Sequence, residues 1–306
     1  MEKIAVIGAG LMGHGIAQVF ATNGHDVTVC DPVAEVLEQV PERVRANLLG
    51  LGYSESAAQH ISRHLTLSPE LTAAAGADFV FEAAPEKLPL KREIFAQLAD
   101  CTGPHCVLTS NTSVIPIRQI SAGMLECRRV LGCHWWNPPY LVPLVEVVQS
   151  GCTDDALITR TIDLLRRVGK SPVHVQRDIP GFIGNRLMHA LWREAISLVN
   201  DGVCDAATID LVVKNSFGMR LPVLGPMENA DLVGLDLTLD IQGYILPHLE
   251  TSGQPSPLLA RNVAEKRLGM KTGEGFYKWT EESAQAVHDR LTQHLRRAVR
   301  LPKASE

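Results

Sequence analysis

The sequence has 306 residues, which is longer than most single hydrophobic cores and predicts two domains. Its formal net charge of -5 argues against a protein that binds nucleic acid or anionic membranes, and no apolar run approaches the ~20 residues of a membrane helix. Hydrophobic residues at 45% and charged residues at 21% are typical of a soluble globular protein.

Two features of the sequence bear on the compartment in which the protein works. The N-terminus begins directly with a strand pattern and lacks the pattern of a secretory signal peptide. We therefore expect a cytoplasmic protein, although the same start fits a mature organellar protein whose leader has been removed. The seven cysteines are scattered, and no two have the CxxC spacing of a zinc or redox site. This predicts reduced thiols that act as small buried hydrophobic side chains, and no bound metal.

Short apolar runs alternate with segments of helical apolar spacing over residues 1–180. The run KIAVIG at 3–8 predicts a buried parallel strand, and a helix is expected from about Met12 to Asn23. Further strands are predicted at 26–30, 77–83, 105–109, 129–133, 140–148 and 171–176, with helices at 35–50, 89–100 and about 154–168. This alternation predicts an α/β Rossmann-type, doubly wound parallel sheet.

The pattern changes near Pro180. From Gly181 onward the apolar residues recur with helical spacing, and no convincing strand is predicted. Helices are expected at 182–201, 205–217, 228–249, 256–268 and 281–300. We therefore predict an N-terminal Rossmann domain over residues 1–180 and an all-α C-terminal domain over 181–306.

The first predicted strand runs into the motif GAGLMG at 8–13, which has the GxGxxG spacing of dinucleotide-binding loops. Gly8 would make the turn, Gly10 would let the backbone approach a pyrophosphate, and Gly13 would let helix and strand pack closely. Leu11 and Met12 lie in the same loop and would adjoin the cofactor. The following helix would stabilise phosphate charge with its N-terminus.

Asp31 ends the second predicted strand, 18 residues after the motif. An acidic side chain at this position binds the hydroxyl groups of the adenine ribose. Pro32 and Val33 follow, so no arginine is present to receive a 2′-phosphate, and NAD is favoured over NADP. The alternative interpretation is a structural turn with a helix-capping aspartate.

A second constellation pairs a histidine with a glutamate. His134 ends one predicted strand, and Glu146 lies within the apolar run LVPLVEVV. A glutamate on a buried strand needs a partner, and a histidine across the intervening turn is a plausible one. Oxidation of an alcohol needs a base near neutral pH, and a carboxylate can hold the histidine in its tautomer. The alternative is a structural histidine with a glutamate that faces water.

At these residues the sequence resembles the L-3-hydroxyacyl-CoA dehydrogenase family. The shared motifs, from Lys3 to about Trp279, are GAGLMG (8–13), SNTS (110–113), HWWNPP (134–139), LVE (144–146), PGFIGNR (180–186), GP followed by DLVGLD (225–236) and KTGEGFY (271–277). The resemblance implies NAD-dependent hydride transfer from a 3-hydroxyacyl substrate, a role in fatty acid metabolism, and a homodimer built through the helical domain.

The resemblance also implies roles for individual residues. His134 would be the general base and Glu146 its orienting acid, while Ser113 and Asn185 would bond the substrate's 3-oxygen or the imidazole. Asn185 would come from the second domain, so that the site is complete only when the domains close. The implied contacts are Glu86, Lys91, Ser113 and Lys271 for NAD, and Ser113, Asn137 and Arg220 for the substrate.

The chain departs from the family pattern at several places. Trp135 and Trp136 replace two phenylalanines, and the segment 41–70, which is lysine-rich in acyl-CoA enzymes, contains no lysine. Arg43, Arg45 and Arg63 remain there as possible phosphate ligands. The segment GMRLPVLGP at 218–226 is more similar to relatives such as L-gulonate 3-dehydrogenase (lambda-crystallin), which oxidise free hydroxy acids. Arg220 would then bind a carboxylate, or form a surface ion pair.

Several readings therefore remain open. The substrate is either a 3-hydroxyacyl-CoA or a free 3-hydroxy acid resembling L-gulonate. A crystallin-like structural protein that binds NAD(H) is a third possibility, against which the retained site residues argue. The 6-phosphogluconate and hydroxyisobutyrate dehydrogenases share a similar glycine loop, but their catalytic lysine motif is absent from this sequence.

Overall fold

The computed structural model describes residues 1–298, and their chain forms two compact units. The first unit contains Met1–Asn185 together with the described residues from Thr292 onward, and the second contains Arg186–Leu291. The predicted boundary near residue 180 thus lies five residues before the end of the first stretch. Positions 299–306 of the predicted helical domain, and the last two of its helix at 281–300, lie outside the described residues.

The first unit is built on an eight-stranded sheet. Its strands are β1 (Ile4–Ile7), β2 (Val27–Cys30), β3 (Leu65–Ser68), β4 (Phe79–Glu82), β5 (Val107–Ser110), β6 (Val130–Trp135), β7 (Leu144–Val148) and β8 (Ser171–Val175). They lie in the order β3-β2-β1-β4-β5-β6-β7-β8, and every neighbouring pair is parallel except β6 with β7. The predicted Rossmann-type sheet is confirmed. The edge strand β3 was not predicted, since it has only four residues and none of them is buried.

Helices connect most of these strands and cover both faces of the sheet. They are α1 (Gly13–Thr22), α2 (Ala34–Glu38), α3 (Val40–Gly50), α4 (Glu55–Ser62), α5 (Leu88–Cys101), α6 (Ile117–Ile120) and α7 (Asp155–Arg167). Alternate residues of β1 enter two hydrophobic clusters: Ile4 and Val6 belong to one, and Ala5 and Ile7 to the other. This period of two places one cluster on each face of the sheet.

The second unit is helical, as predicted. The remaining helices are α8 (Gly184–Asn200), α9 (Ala206–Asn215), α10 (Pro226–Val233), α11 (Leu235–Ile245), α12 (Pro257–Ala264) and α13 (Glu281–Ala298). The single helix expected at 228–249 is two helices that meet at Gly234. Among the described helices none is long and apolar enough to cross a bilayer.

Cys127 and Cys152 form a disulfide, with Cα atoms 5.8 Å apart. The expectation that all seven cysteines are reduced is therefore wrong for this pair. Cys127 precedes β6 and Cys152 follows β7, and the antiparallel pairing of these strands brings the two ends of the hairpin together. Sequence spacing could not show this proximity, because it depends on the register of the hairpin.

Candidate active site

The glycine motif forms a tight loop between β1 and α1. Gly8 has a φ of 100°, a conformation that favours glycine, and a side chain at Gly13 would overlap the carbonyl oxygen of Gly8. A Cβ atom added at Gly10 would meet no atom within 4 Å, so the loop is open on that side. Leu11 is exposed and Met12 half-buried. The close turn, the open face and the first turn of α1 fit a dinucleotide pyrophosphate.

Asp31 follows β2 and is bonded to this loop. Its Oδ2 accepts the N–H of Ala9 at 2.7 Å, and its Oδ1 accepts the N–H of Val33 at 2.9 Å. Each carboxylate oxygen has a second lone pair. Asp31 therefore fixes the loop and keeps acceptor capacity for ribose hydroxyl groups.

A buried ion pair lies at the end of β4 and involves Glu82, which is not among the predicted site residues. Glu82 is fully buried, and its Oε1 accepts hydrogen bonds from Lys91 Nζ and the Ala84 N–H, both at 2.7 Å. Its Oε2 accepts the Ser110 hydroxyl at 2.5 Å. Lys91 also donates to the Ala84 carbonyl and lies 3.4 Å from Glu86. The buried ammonium group is thus held by two hydrogen bonds and lies near a second carboxylate. Glu82 could have been predicted from the sequence, because it is an acidic residue in the apolar run FVFE.

Glu86 holds the loop that carries Ser113. Its Oε1 accepts the Thr112 hydroxyl at 2.6 Å and the N–H groups of Ser113 and Val114 at 3.0 and 3.2 Å. Asn185, the second residue of α8, donates from Nδ2 to the Ser113 carbonyl at 2.9 Å. Asn185 accordingly belongs to the sheet unit rather than the helical one. The Ser113 hydroxyl has no hydrogen-bond partner among residues 1–298.

His134 and Glu146 are directly opposite each other on the antiparallel strands β6 and β7. The imidazole Nδ1 and Glu146 Oε2 are 2.7 Å apart, and the two residues are only 5% and 1% exposed. The other oxygen of Glu146 accepts the N–H groups of Ile183 and Gly184 at 2.9 and 3.0 Å. Burial opposes the charge, but the hydrogen bonds from His134, Gly184 and Ile183 hold the pKa of Glu146 below its usual value.

This arrangement leaves the second imidazole nitrogen available. With a carboxylate at Nδ1, the neutral ring carries its proton there and presents Nε2 as an acceptor. The ring of Trp136 lies 5.3 Å from that of His134, and the ring of Phe182 lies 5.8 Å away. These apolar neighbours limit access of water to the imidazole. The sequence predicted the pair but missed Ile183, Gly184 and Phe182, which fold back from the start of α8.

Three other predicted positions are exposed. Asn137 lies in the turn after β6, whereas Arg220 and Lys271 belong to the helical unit. Arg220 follows a 3-10 turn at Phe217–Met219. Within the part of the chain that the structure describes, neither the Arg220 nor the Lys271 side chain makes a hydrogen bond or an ion pair. Both are therefore free to meet a ligand.

Two family models together match nearly the whole chain. The NAD binding domain of 3-hydroxyacyl-CoA dehydrogenase matches residues 3–179, and the C-terminal domain of the same family matches residues 181–279. This chain belongs to the 3-hydroxyacyl-CoA dehydrogenase family. It is an NAD-dependent oxidoreductase, and the predicted family and cofactor are confirmed.

Similar proteins in this family have different named substrates. A probable 3-hydroxybutyryl-CoA dehydrogenase from Deinococcus radiodurans is 37% identical over 281 residues, which cover 90% of this chain and 100% of that protein. The 5-formyl-3-hydroxy-2-methylpyridine 4-carboxylate 5-dehydrogenase from Mesorhizobium japonicum is 30% identical over 292 residues, 94% of each chain.

The similar solved structures also include enzymes that are named for both kinds of substrate. A 5-formyl-3-hydroxy-2-methylpyridine 4-carboxylic acid 5-dehydrogenase, an NAD+ dependent dismutase, superposes with a TM-score of 0.90 at 30% identity and full coverage of both chains. The (S)-3-hydroxybutyryl-CoA dehydrogenase from Ralstonia eutropha has a TM-score of 0.77 at 29% identity, covering 92% of this chain and 100% of that one.

Proposed function

We propose that the protein oxidises the 3-hydroxyl group of a 3-hydroxyacyl-type substrate to a ketone, with His134 as the general base. The observation that carries this proposal is the buried contact of 2.7 Å between His134 and Glu146, which leaves Nε2 ready to take the hydroxyl proton. Glu146 would stabilise the imidazolium that forms. Bound NAD supplies the acceptor for the hydride that leaves the substrate carbon.

Ser113 and its neighbours would orient the substrate. The free Ser113 hydroxyl can donate to the 3-oxygen, while Glu86 accepts the N–H of Ser113 and Asn185 donates to its carbonyl oxygen. Asn185 thus holds the backbone of Ser113, and its own side-chain oxygen stays available for a ligand. The deciding test is a panel of acetoacetyl-CoA, 3-hydroxybutyryl-CoA, free 3-hydroxybutyrate and L-gulonate, followed by NADH absorbance. Binding of NADH without turnover of any of them would instead indicate a crystallin-like role.

A free hydroxy acid is the second candidate substrate. Arg45, in the segment that replaces the lysine-rich region of acyl-CoA enzymes, already pairs with Glu42 at 2.9 Å and Glu55 at 2.8 Å. Arg43 donates to Gln39 at 2.6 Å. These arginines are thereby partly occupied, which weakens the case for binding CoA phosphates. The dismutase with a TM-score of 0.90 is named for a carboxylate without CoA.

Arg220 provides the test that separates the two substrate classes. If its guanidinium binds a carboxylate, Arg220→Met should raise KM for a free acid about 10–100-fold, since a charged hydrogen bond contributes about 1.5–3 kcal/mol. KM for acetoacetyl-CoA should stay nearly unchanged. Arg261→Met, at another exposed arginine of the helical unit, is the matched control. Strong activity on acetoacetyl-CoA that is unchanged in Arg220→Met, with no activity on a free acid, would assign the chain to the acyl-CoA enzymes.

We further propose that the protein is a homodimer built through the helical unit. Within Arg186–Leu291 the one buried residue is Asn262, and many large apolar side chains face outward, including Leu232 at 73% and Leu239 at 71% exposure. Monomers rarely expose so many apolar side chains, and a symmetric copy of the same surface would cover them.

The dimer can be tested by light scattering coupled to size exclusion. The wild-type protein should have about twice the 33.4 kDa mass of the chain. Leu239→Glu should shift the protein toward a monomer, because it buries a charge in the proposed interface. Leu125→Glu, at a 97% exposed leucine of the sheet unit, should leave the mass unchanged. A wild-type mass of one chain would reject the dimer.

A further inference from the structure

Lys170 lies immediately before β8 and reaches the connection that joins β6 to β7. Its Nζ donates hydrogen bonds to the carbonyl oxygens of Pro139 and Val142, the second at 3.1 Å. The same ammonium lies 5.6 Å from the ring centroid of Trp135, the residue after His134. This connection, residues 136–143, is hereafter called the 136–143 turn: Lys170 binds it at two carbonyl oxygens and also lies beside the last residue of β6.

The 136–143 turn has few backbone donors of its own. Pro138, Pro139 and Pro143 have no N–H, and the carbonyl of Pro138 already accepts the N–H groups of Leu141 and Val142. The carbonyl of the buried Pro139 needs a donor from elsewhere, since an unpaired buried acceptor is costly. Lys170 supplies that donor.

The ammonium has no counter-ion within the described residues. Burial lowers the pKa of Lys170 to about 8, and no charged neighbour contributes to the shift. A lysine retained for an ion pair would face a carboxylate, but this one faces carbonyl oxygens and an aromatic ring. The contacts of Lys170 therefore depend on the conformation of the turn, which places the two carbonyl oxygens beside the ammonium.

The 136–143 turn also packs against the first turn of α1. A Cβ atom added at Gly15, in the first turn of α1, would lie 2.9 Å from Pro139 Cδ. The ring of Pro139 is thus packed against α1, and its carbonyl oxygen accepts a hydrogen bond from Lys170. The turn therefore connects α1, through this packing, to β6 and β7, the strands that carry His134 and Glu146.

We propose that Lys170 is a positioning residue for the reaction: by fixing the 136–143 turn, it holds His134 at the correct place relative to α1 and the cofactor loop. This inference rests on the proposed role of His134 as the base. A displacement of catalytic groups by about 1 Å can lower a rate about 10²-fold, which makes a positioning lysine measurable.

The test compares Lys170→Met with Lys170→Arg, both well below the melting temperature. Lys170→Met should lower kcat by up to about 10²-fold and leave KM for NAD nearly unchanged, because the glycine loop is intact. Lys170→Arg retains charged donors and should recover most of the lost kcat. Arg166→Met, on the exposed face of α7, is the matched control and should behave as wild type. If Lys170→Met does not fold, Lys170→Gln takes its place.

A double variant separates this inference from the proposed function. If Lys170 acts through His134, adding Lys170→Met to His134→Gln should lower kcat no further, since residues acting as a unit are not additive. Equal losses in both backgrounds, or wild-type kcat in Lys170→Met, would overturn the positioning role while His134 remains the base. Normal turnover of His134→Gln itself would overturn the proposed function, and this inference with it.

Discussion

Replacing His134 with glutamine should lower kcat by about 10²–10⁴-fold, the usual contribution of a positioned acid or base. Glutamine is polar and similar in reach, but it cannot take up the hydroxyl proton. The loss should appear in kcat rather than in cofactor affinity, because the described contacts of the glycine loop do not involve His134. NADH formation gives kcat, and titration calorimetry with NAD gives the affinity.

Two outcomes would contradict the assignment of the base. Near-normal turnover of His134→Gln would exclude His134 from proton transfer. A loss of NAD affinity equal to the loss of kcat would place the histidine in the cofactor site instead. Wild-type melting temperature is the control for folding, since His134 lies in the buried strand β6.

Periodicity and local motifs predicted the parts of the molecule that depend on short stretches of chain. The run before Gly8 forms β1, and the glycine loop opens α1 as expected. The acid inside LVPLVEVV was predicted to need a partner, and register places it opposite His134. These inferences succeed because the burial pattern and the turn conformation depend on residues that are close together in the sequence.

The parts that could not be predicted depend on register and on contacts between distant segments. The disulfide between Cys127 and Cys152 requires knowledge of how β6 and β7 pair. The resemblance implies Lys91 as a contact for NAD, but only the fold shows that the ammonium of Lys91 pairs with Glu82. Lys170 is an ordinary lysine in the sequence until β8 is placed beside β7.

Glu146→Gln should lower kcat about as much as His134→Gln, by about 10²–10⁴-fold, for a reason that the sequence alone does not provide. From the sequence, a smaller loss is expected, because an amide keeps a hydrogen-bond acceptor for the imidazole. The structure shows that both oxygens of Glu146 accept: one from His134, the other from the N–H groups of Ile183 and Gly184. A glutamine side chain has only one oxygen, so it can accept either from His134 or from the two backbone N–H groups, but not from both.

The two backbone N–H groups cannot accept a hydrogen bond, so they should take the oxygen of Gln and leave its NH2 group facing Nδ1 of His134. The imidazole can then avoid a clash between donors only by moving its proton to Nε2. That tautomer has no lone pair for the substrate hydroxyl, and the base is lost although the side chain is present. Glu146→Asp, which keeps two accepting oxygens, is the matched control and should be less impaired. Nitrogen NMR of the imidazole reads the tautomer directly: a proton on Nδ1 in Glu146→Gln, together with only a small loss of kcat, would show that the amide oxygen faces His134 instead.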